Sequence, residues 1–342
     1  MAELSCFKAY DIRGEINVNI DANTVYRIGR AVSEHFAAKS VVVGYDARET
    51  SPTFASSVIA GIKDYGANVI NIGLAGTEEM YWAVSQFEAC AGIEITASHN
   101  PINFNGIKIV KSCSRPLDEK ADFKVIKRLA EAANFSLPKV RGEMTDRSFE
   151  ARTAYVDRVL SFVDVSKLRP LKIVVNSGNG AAGPTFDAIA ENLLKASAPL
   201  DFIRVNHEPD HSFPNGIPNP LLQKNHYSTA KVVREVGADL GIAFDGDFDR
   251  CFFFDHSGNF VQGEYVVGLL ASIFLEREMG AKIVHDPRVI WNTRSVVSDN
   301  GGFSIQSKTG HAFIKQTMRK HKAVYGGELS AHHYFRDFAF CD

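Results

Sequence analysis

Cysteine is scarce and scattered in this chain of 342 residues: Cys6, Cys90, Cys113, Cys251 and Cys341 are odd in number and form no C-x-x-C pair. That argues against a disulfide framework or a zinc site. Blocks of basic residues are missing too, and a formal net charge of -2 gives nucleic acid nothing to bind. No apolar run could span a bilayer, since the longest, residues 265–275, is broken by Ser272. The opening residues, Met1 to Lys8, lack the apolar core of a secretory signal. The resulting expectation is a cytoplasmic protein without a membrane or nucleic-acid partner.

What is present is an ordinary globular composition, 45% hydrophobic and 23% charged. The length implies two or three domains. Short β-rich runs alternate with helical patterns throughout, which predicts α/β architecture. Asp21 caps a predicted helix with Val25, Ile28, Val32 and Phe36 on one face. Strands are predicted at 41–44, 68–72 and 91–95, with a helix over 54–65 between the first two. Residues 118–147 read as helices and a connection. A second unit starts at Leu171 and runs through a helix near 185–194, a strand at 201–205 and a helix over 223–235 to a strand at 240–244. Cys251-Phe252-Phe253-Phe254 restarts the pattern, followed by a helix over 265–278 and a strand at 282–284. The expected domains are 1–150, 151–255 and 256–342. No letter-by-letter repeat links them, so any kinship is structural. Residues 335–342 carry three Phe and no polar taper, which reads as a cut within a domain.

The richest segment is Asp245-Gly246-Asp247-Phe248-Asp249-Arg250. On extended backbone its alternate carboxylates point to one side. Like charges so placed repel unless a cation sits among them, and oxygen-only ligands suit Mg²⁺ and phosphate chemistry. An EF-hand is rejected, because the sixth position is Arg250 and the twelfth His256. A solvated acidic turn and an aspartyl-nucleophile phosphatase acting through Asp245 stay open.

Thr96-Ala97-Ser98-His99-Asn100-Pro101 places a serine beside a histidine where a strand ends, the position of a nucleophile or of a plain Ser/Asn turn. Lys108 sits among β-branched residues, where desolvation lowers a lysine pKa towards general-base range; an edge-strand lysine is the alternative. Gly178-Asn179-Gly180-Ala181-Ala182-Gly183 fits a dinucleotide fingerprint, but the next strand ends at Arg204-Val205-Asn206 without the acidic residue. It reads as a tight helix start.

Together the Ser98 and Asp245–Arg250 segments resemble the α-D-phosphohexomutase superfamily. Tyr10-Asp11-Ile12-Arg13-Gly14 and Gly327-Glu328-Leu329-Ser330-Ala331-His332 match the same family in the same order, over the whole chain. The wording around Ser330 to Phe335 is nearest to bacterial phosphomannomutases. The resemblance implies three α/β domains with mixed sheets sandwiched by helices. It implies a phosphoserine at Ser98, Mg²⁺ held by Asp245, Asp247, Asp249 and a phosphoserine oxygen, and His99, Arg13, Lys108 and His332 at the reacting oxygen. Substrate contacts are implied for Tyr10, Arg250, Arg288, Thr309, Gly310, His311, Glu328 and Ser330. The implied reaction interconverts mannose 6-phosphate and mannose 1-phosphate through a hexose 1,6-bisphosphate activator, feeding GDP-mannose synthesis, in a monomer or weak dimer. Glucose or glucosamine phosphates, a binding remnant without turnover, and a phosphohydrolase are the alternatives. The family pattern continues beyond Asp342 into a fourth domain with a phosphate-clamping loop. The third domain is therefore expected to be clipped, with an apolar face short of cover and weakened turnover.

Overall fold

The computed structural model describes residues 3–9, 11–136 and 140–342. Val41, Val42 and Val43 are fully buried, as β-branched residues of a strand covered on both faces must be. Around them a seven-stranded mixed sheet assembles from β1 (Ile12–Glu15), β2 (Ser40–Tyr45), β3 (Asn68–Leu74), β4 (Ala91–Ile95), β5 (Phe104–Lys111), β6 (Arg115–Pro116) and β7 (Met144–Asp146). Helices α1 (Ala22–His35), α2 (Ser51–Tyr65) and α4 (Lys124–Ala132) cover the face holding Val41 and Val43. Helices α3 (Thr77–Gln86) and α5 (Ser148–Leu160) cover the face of Val42. The Asp21 carboxylate caps α1 by accepting from the Thr24 N–H at 2.7 Å. β7 lies where helices and a connection were predicted. Its three residues are exposed and pair only at the sheet edge, too short a run to leave a periodic signal.

The second sheet contains β8 (Leu171–Asn176), β9 (Leu200–Val205), β10 (Leu240–Phe244) and β11 (Cys251–Phe254). Val175 packs under α6 (Ala182–Lys195) and Val174 under α7 (Tyr227–Val236), so adjacent residues serve opposite faces. β11 pairs antiparallel with β10 and closes this sheet, where the sequence had suggested a new start. The third sheet contains β12 (Lys282–His285), β13 (Phe303–Gln306), β14 (Tyr325–Gly327) and β15 (His333–Phe335). Ile283 faces α8 (Gly263–Arg277) and α9 (Ile290–Asp299), while Val284 faces α10 (His311–His321).

The kinship hidden in the letters appears in the strand order. The second and third sheets run β9-β8-β10-β11 and β13-β12-β14-β15, and β3-β2-β4-β5 forms the heart of the first. In each, the second, first and third strands are parallel and the fourth turns back antiparallel. The turn between third and fourth strands therefore leaves every sheet at an equivalent edge: residues 96–103, 245–250 and 328–332.

Residues 336–342 are tied down. Phe338 stacks on Trp82 with centroids 5.5 Å apart, and Asp342 is buried against Lys315. On the third unit Trp291 is 90% and Leu269 62% exposed. No described helix is long and apolar enough to cross a membrane.

Candidate active site

The three equivalent turns meet. Ser98 lies just past β4, buried, with φ of 48°. A non-glycine residue in that region stores strain of about 1–3 kcal/mol, which the surroundings must hold. Arg48 does much of that holding. Its buried guanidinium donates to the carbonyls of Ser98 (2.9 Å), Asn100, Pro101 (2.9 Å) and Phe104 (3.0 Å). The Ser98 Oγ donates to Asp245 Oδ2 at 2.7 Å, a contact across 147 residues of sequence. It also lies 3.1 Å from His99 Nδ1 and accepts from Arg250 Nη2 at 3.1 Å. Gly246 makes this approach possible, for a Cβ there would sit 2.7 Å from the Ser98 carbonyl oxygen.

Asp245, Asp247 and Asp249 bring carboxylate oxygens within 4.8 Å of one another, all buried. They do not do so along an extended strand. β10 ends at Phe244, and residues 245–250 form a turn with Phe248 at φ 43°. The alternation is real, but a loop folds the three groups together. Thr77 braces the turn, donating from Oγ1 to Asp247 Oδ2 at 2.7 Å. The glycine-rich run 178–183 supports it from behind, as the Ala181 N–H donates to the Gly246 carbonyl at 3.1 Å; it opens α6, as expected of a helix start.

Three converging carboxylates need positive charge. Arg250 Nε donates to Asp245 Oδ2 at 2.9 Å, and Lys108 Nζ binds Asp247 at 2.8 Å and also Asp249. Burial would push the Lys108 pKa down, as the sequence suggested, but the two carboxylates outweigh burial and raise it. Burial dominates at Asp245 and raises it to about 6 despite Arg250. At Asp247 burial is overridden by Lys108, which holds the carboxyl well below the usual range. The Oδ1 atoms of all three aspartates are buried without a hydrogen-bond partner. Orphaned carboxylate oxygens are costly, and a buried cluster of three carboxylates that each keep one suits a hard divalent cation.

On the opposite side, Glu328, Ser330 and Arg288 come together. Arg288 Nη2 reaches Glu328 Oε2 at 3.4 Å and Ser330 Oγ at 3.5 Å. Glu328 Oε1 accepts from Tyr334 OH at 2.9 Å and from the Gly310 N–H at 3.3 Å. His311 Nε2 lies 3.1 Å from Asp11 Oδ1, joining the third sheet's loops to the first. Arg13, half-buried, donates to the Thr96 carbonyl. His332 links the two groups, with a ring nitrogen within 4.8 Å of an Asp249 oxygen. Thr309 stays exposed at the rim, and Tyr10 lies outside the described residues. Sequence reading missed Arg48, Thr77 and Asp286, the buried anchor that accepts from Arg288 Nε at 2.7 Å. Arg48 and Asp286 follow the carboxyl ends of β2 and β12, where loops of parallel sheets gather ligands, and that position was the available signal.

Family models of phosphoglucomutase/phosphomannomutase α/β/α domains I, II and III match residues 5–135, 153–258 and 262–342. A phosphomannomutase of Salmonella montevideo is 51% identical over 342 residues, which is all of this chain and 75% of that relative. A phosphomannomutase of Vibrio cholerae is also 51% identical, over all of this chain and 74% of its own length. Among solved structures, a phosphoglucomutase/phosphomannomutase family protein of Burkholderia thailandensis superposes with a TM-score of 0.88 at 30% identity, covering 99% of this chain and 73% of that one.

Proposed function

The chain belongs to the phosphoglucomutase/phosphomannomutase family, and from that premise we propose that it is a phosphomannomutase, an isomerase interconverting mannose 6-phosphate and mannose 1-phosphate. The observation that carries the reading is the 2.7 Å contact between the Ser98 hydroxyl and Asp245, made beside three orphaned carboxylate oxygens. Ser98 holds the phosphoryl group. In the first half-reaction a sugar hydroxyl oxygen bonds to phosphorus as the bond to Ser98 Oγ breaks, giving a hexose 1,6-bisphosphate. The intermediate turns over in the cleft and returns its other phosphoryl group to Ser98.

Phosphoryl transfer is chiefly positioning and charge neutralisation. Arg250 and Arg13 set positive charge beside the group in flight. Lys108, kept charged by Asp247 and Asp249, adds positive charge to the same side, while His332 exchanges the hydroxyl proton and His99 orients the serine. Asp245, Asp247 and Asp249, with a phosphoserine oxygen, would hold Mg²⁺, which neutralises phosphoryl charge when bound. Glu328 and Ser330 take sugar hydroxyls, with Arg288, Thr309, Gly310 and His311 completing the substrate surface. Hexose 1,6-bisphosphate serves as activator, and the five free cysteines accord with a cytoplasmic setting.

A coupled assay for mannose 1-phosphate consumption, with Mg²⁺ and hexose 1,6-bisphosphate present, tests the proposal. Isomerisation that depends on the bisphosphate is expected. Steady release of inorganic phosphate without isomerisation would replace the mutase by a phosphohydrolase.

A further inference from the structure

His332 does not stand alone in the cleft. Its Nδ1 lies 2.7 Å from Asp342 Oδ2, and the other oxygen of that carboxylate lies 2.6 Å from Lys315 Nζ. Asp342 is 4% exposed and Lys315 fully buried. The Lys315 ammonium sits over the Tyr81 ring at 3.9 Å, so an aromatic face and a carboxylate together replace its water. Lysine is almost never buried so completely without a partner, and here the partner is the same carboxylate that touches the histidine. The His332 ring also stacks on Tyr334 with centroids 6.0 Å apart. The ring is thus held on one face by Tyr334 and at one nitrogen by the Asp342 charge, in an ion pair whose angles are not those of a hydrogen bond.

We infer that Asp342, anchored by Lys315, is the positioning residue that fixes the ring orientation and tautomer of His332, leaving Nε2 to exchange the substrate's proton. This rests on the mutase reading for the proton's identity, but the orientation itself stands on the ion pairs alone. As the sugar oxygen bonds to phosphorus and the Ser98 O–P bond breaks, the hydroxyl proton passes to Nε2 and the leaving Ser98 oxygen takes up a proton, the second half-reaction running both transfers in reverse. Asp342 takes no proton; its charge compensates the imidazolium that forms, and the proton returns in the second half-reaction. The same three groups, Asp249, His332 and Asp342, stand close enough to ligate a metal. Lys315 argues against that use, because its ammonium already neutralises Asp342 at 2.6 Å and would repel a second cation.

The test compares wild type, His332→Ala, Asp342→Asn, the pair Lys315→Met with Asp342→Asn, and Asp342→Asn with His332→Ala. The paired Lys315→Met change keeps the interior neutral, so loss of function can be separated from misfolding, which circular dichroism monitors. Two readouts are taken. Single-turnover transfer from a hexose 1,6-bisphosphate to dephosphorylated Ser98, followed by peptide mass spectrometry, should slow about 10- to 100-fold in Asp342→Asn and in the Lys315→Met pair. Apparent affinity for the bisphosphate should stay within about threefold. Adding Asp342→Asn to His332→Ala should cost nothing more, since both act through one ring. Nitrogen NMR of the histidine rings should find His332 protonated at Nδ1 in wild type and a tautomer mixture in Asp342→Asn. Folded Asp342→Asn protein with a rate within about twofold of wild type and an unchanged ring spectrum overturns the inference. So does a loss that multiplies that of His332→Ala, or a second bound Mn²⁺ lost in Asp342→Asn but kept in Asp245→Asn. If wild-type Ser98 accepts no phosphoryl group, the mutase reading fails, and the ring spectrum still decides the role of Asp342.

Discussion

The turn that carries Ser98 and the turn that carries Glu328 occupy equivalent places in their sheets, yet they are held through different groups. The Ser98 turn is nailed from inside, with the buried Arg48 guanidinium satisfying four backbone carbonyls and the Gly246 backbone pressed against it. The Glu328 turn is anchored inside only through its buried carboxylate, which accepts from Tyr334 and the Gly310 N–H, and its outer contact is Arg288, whose side chain is 39% exposed and whose reach to Glu328 is 3.4 Å. Transferring a phosphoryl group needs reacting atoms fixed to a fraction of an ångström, whereas the recognition side must accept an intermediate in two orientations. One shared topology thus carries a backbone clamp at the Ser98 turn and a side-chain clamp, partly open to solvent, at the Glu328 turn.

The sharpest way to break that contrast is to remove each arginine. Arg48→Ala should strand four carbonyls and destabilise the protein by about 3–5 kcal/mol, with phosphoryl transfer lost, as read by chemical denaturation and by Ser98 labelling. If stability stays within about 1 kcal/mol of wild type, the Ser98 turn is not held as described. Next in size is the cation. Adding Mg²⁺ to roughly a hundred times its Kd should stabilise the protein by about 2.7 kcal/mol, and Asp247→Asn should abolish the gain. A thermal melt insensitive to Mg²⁺ would remove the argument drawn from the three orphaned oxygens. Gly246→Ala should cost about 1–3 kcal/mol and slow transfer, since its new methyl group must push the Ser98 carbonyl aside; full activity would mean the two turns can part without harm. The smallest effect belongs to Arg288→Ala. It should cost only about 1 kcal/mol, because Arg288 is partly exposed although its carboxylate partners Asp286 and Glu328 are buried, while KM for the hexose phosphate rises several-fold with kcat little altered. A drop in kcat alone would place Arg288 at the reacting end instead.

Much of this was legible in the letters. Strands β2, β3, β4 and β10 announce themselves by β-branched or apolar runs, and the Ser98 and Asp245 segments carry their chemistry in adjacent residues. What stayed hidden depends on distance along the chain. Arg48 is separated from Asn100 by 52 residues and Lys315 from Asp342 by a helix and a hairpin, so no local pattern joins them. The common strand order of the three units left no repeat in the letters, because burial constrains polarity and volume without fixing identity. The aspartate alternation pointed to the right cluster for an incomplete reason, as a turn with Phe248 at positive φ, and no strand, brings the carboxylates together. Lys108 misled for the opposite reason: burial was foreseeable, but the two carboxylates that reverse its effect arrive from 139 and 141 residues away.

Peptide mass spectrometry after incubation with Mg²⁺ and a hexose 1,6-bisphosphate reads out the phosphoryl acceptor itself. A single phosphoryl group is expected on the peptide containing Ser98, chased off by mannose 6-phosphate and absent from Ser98→Ala. A label on Asp245, or one that survives in Ser98→Ala, would contradict that role for Ser98.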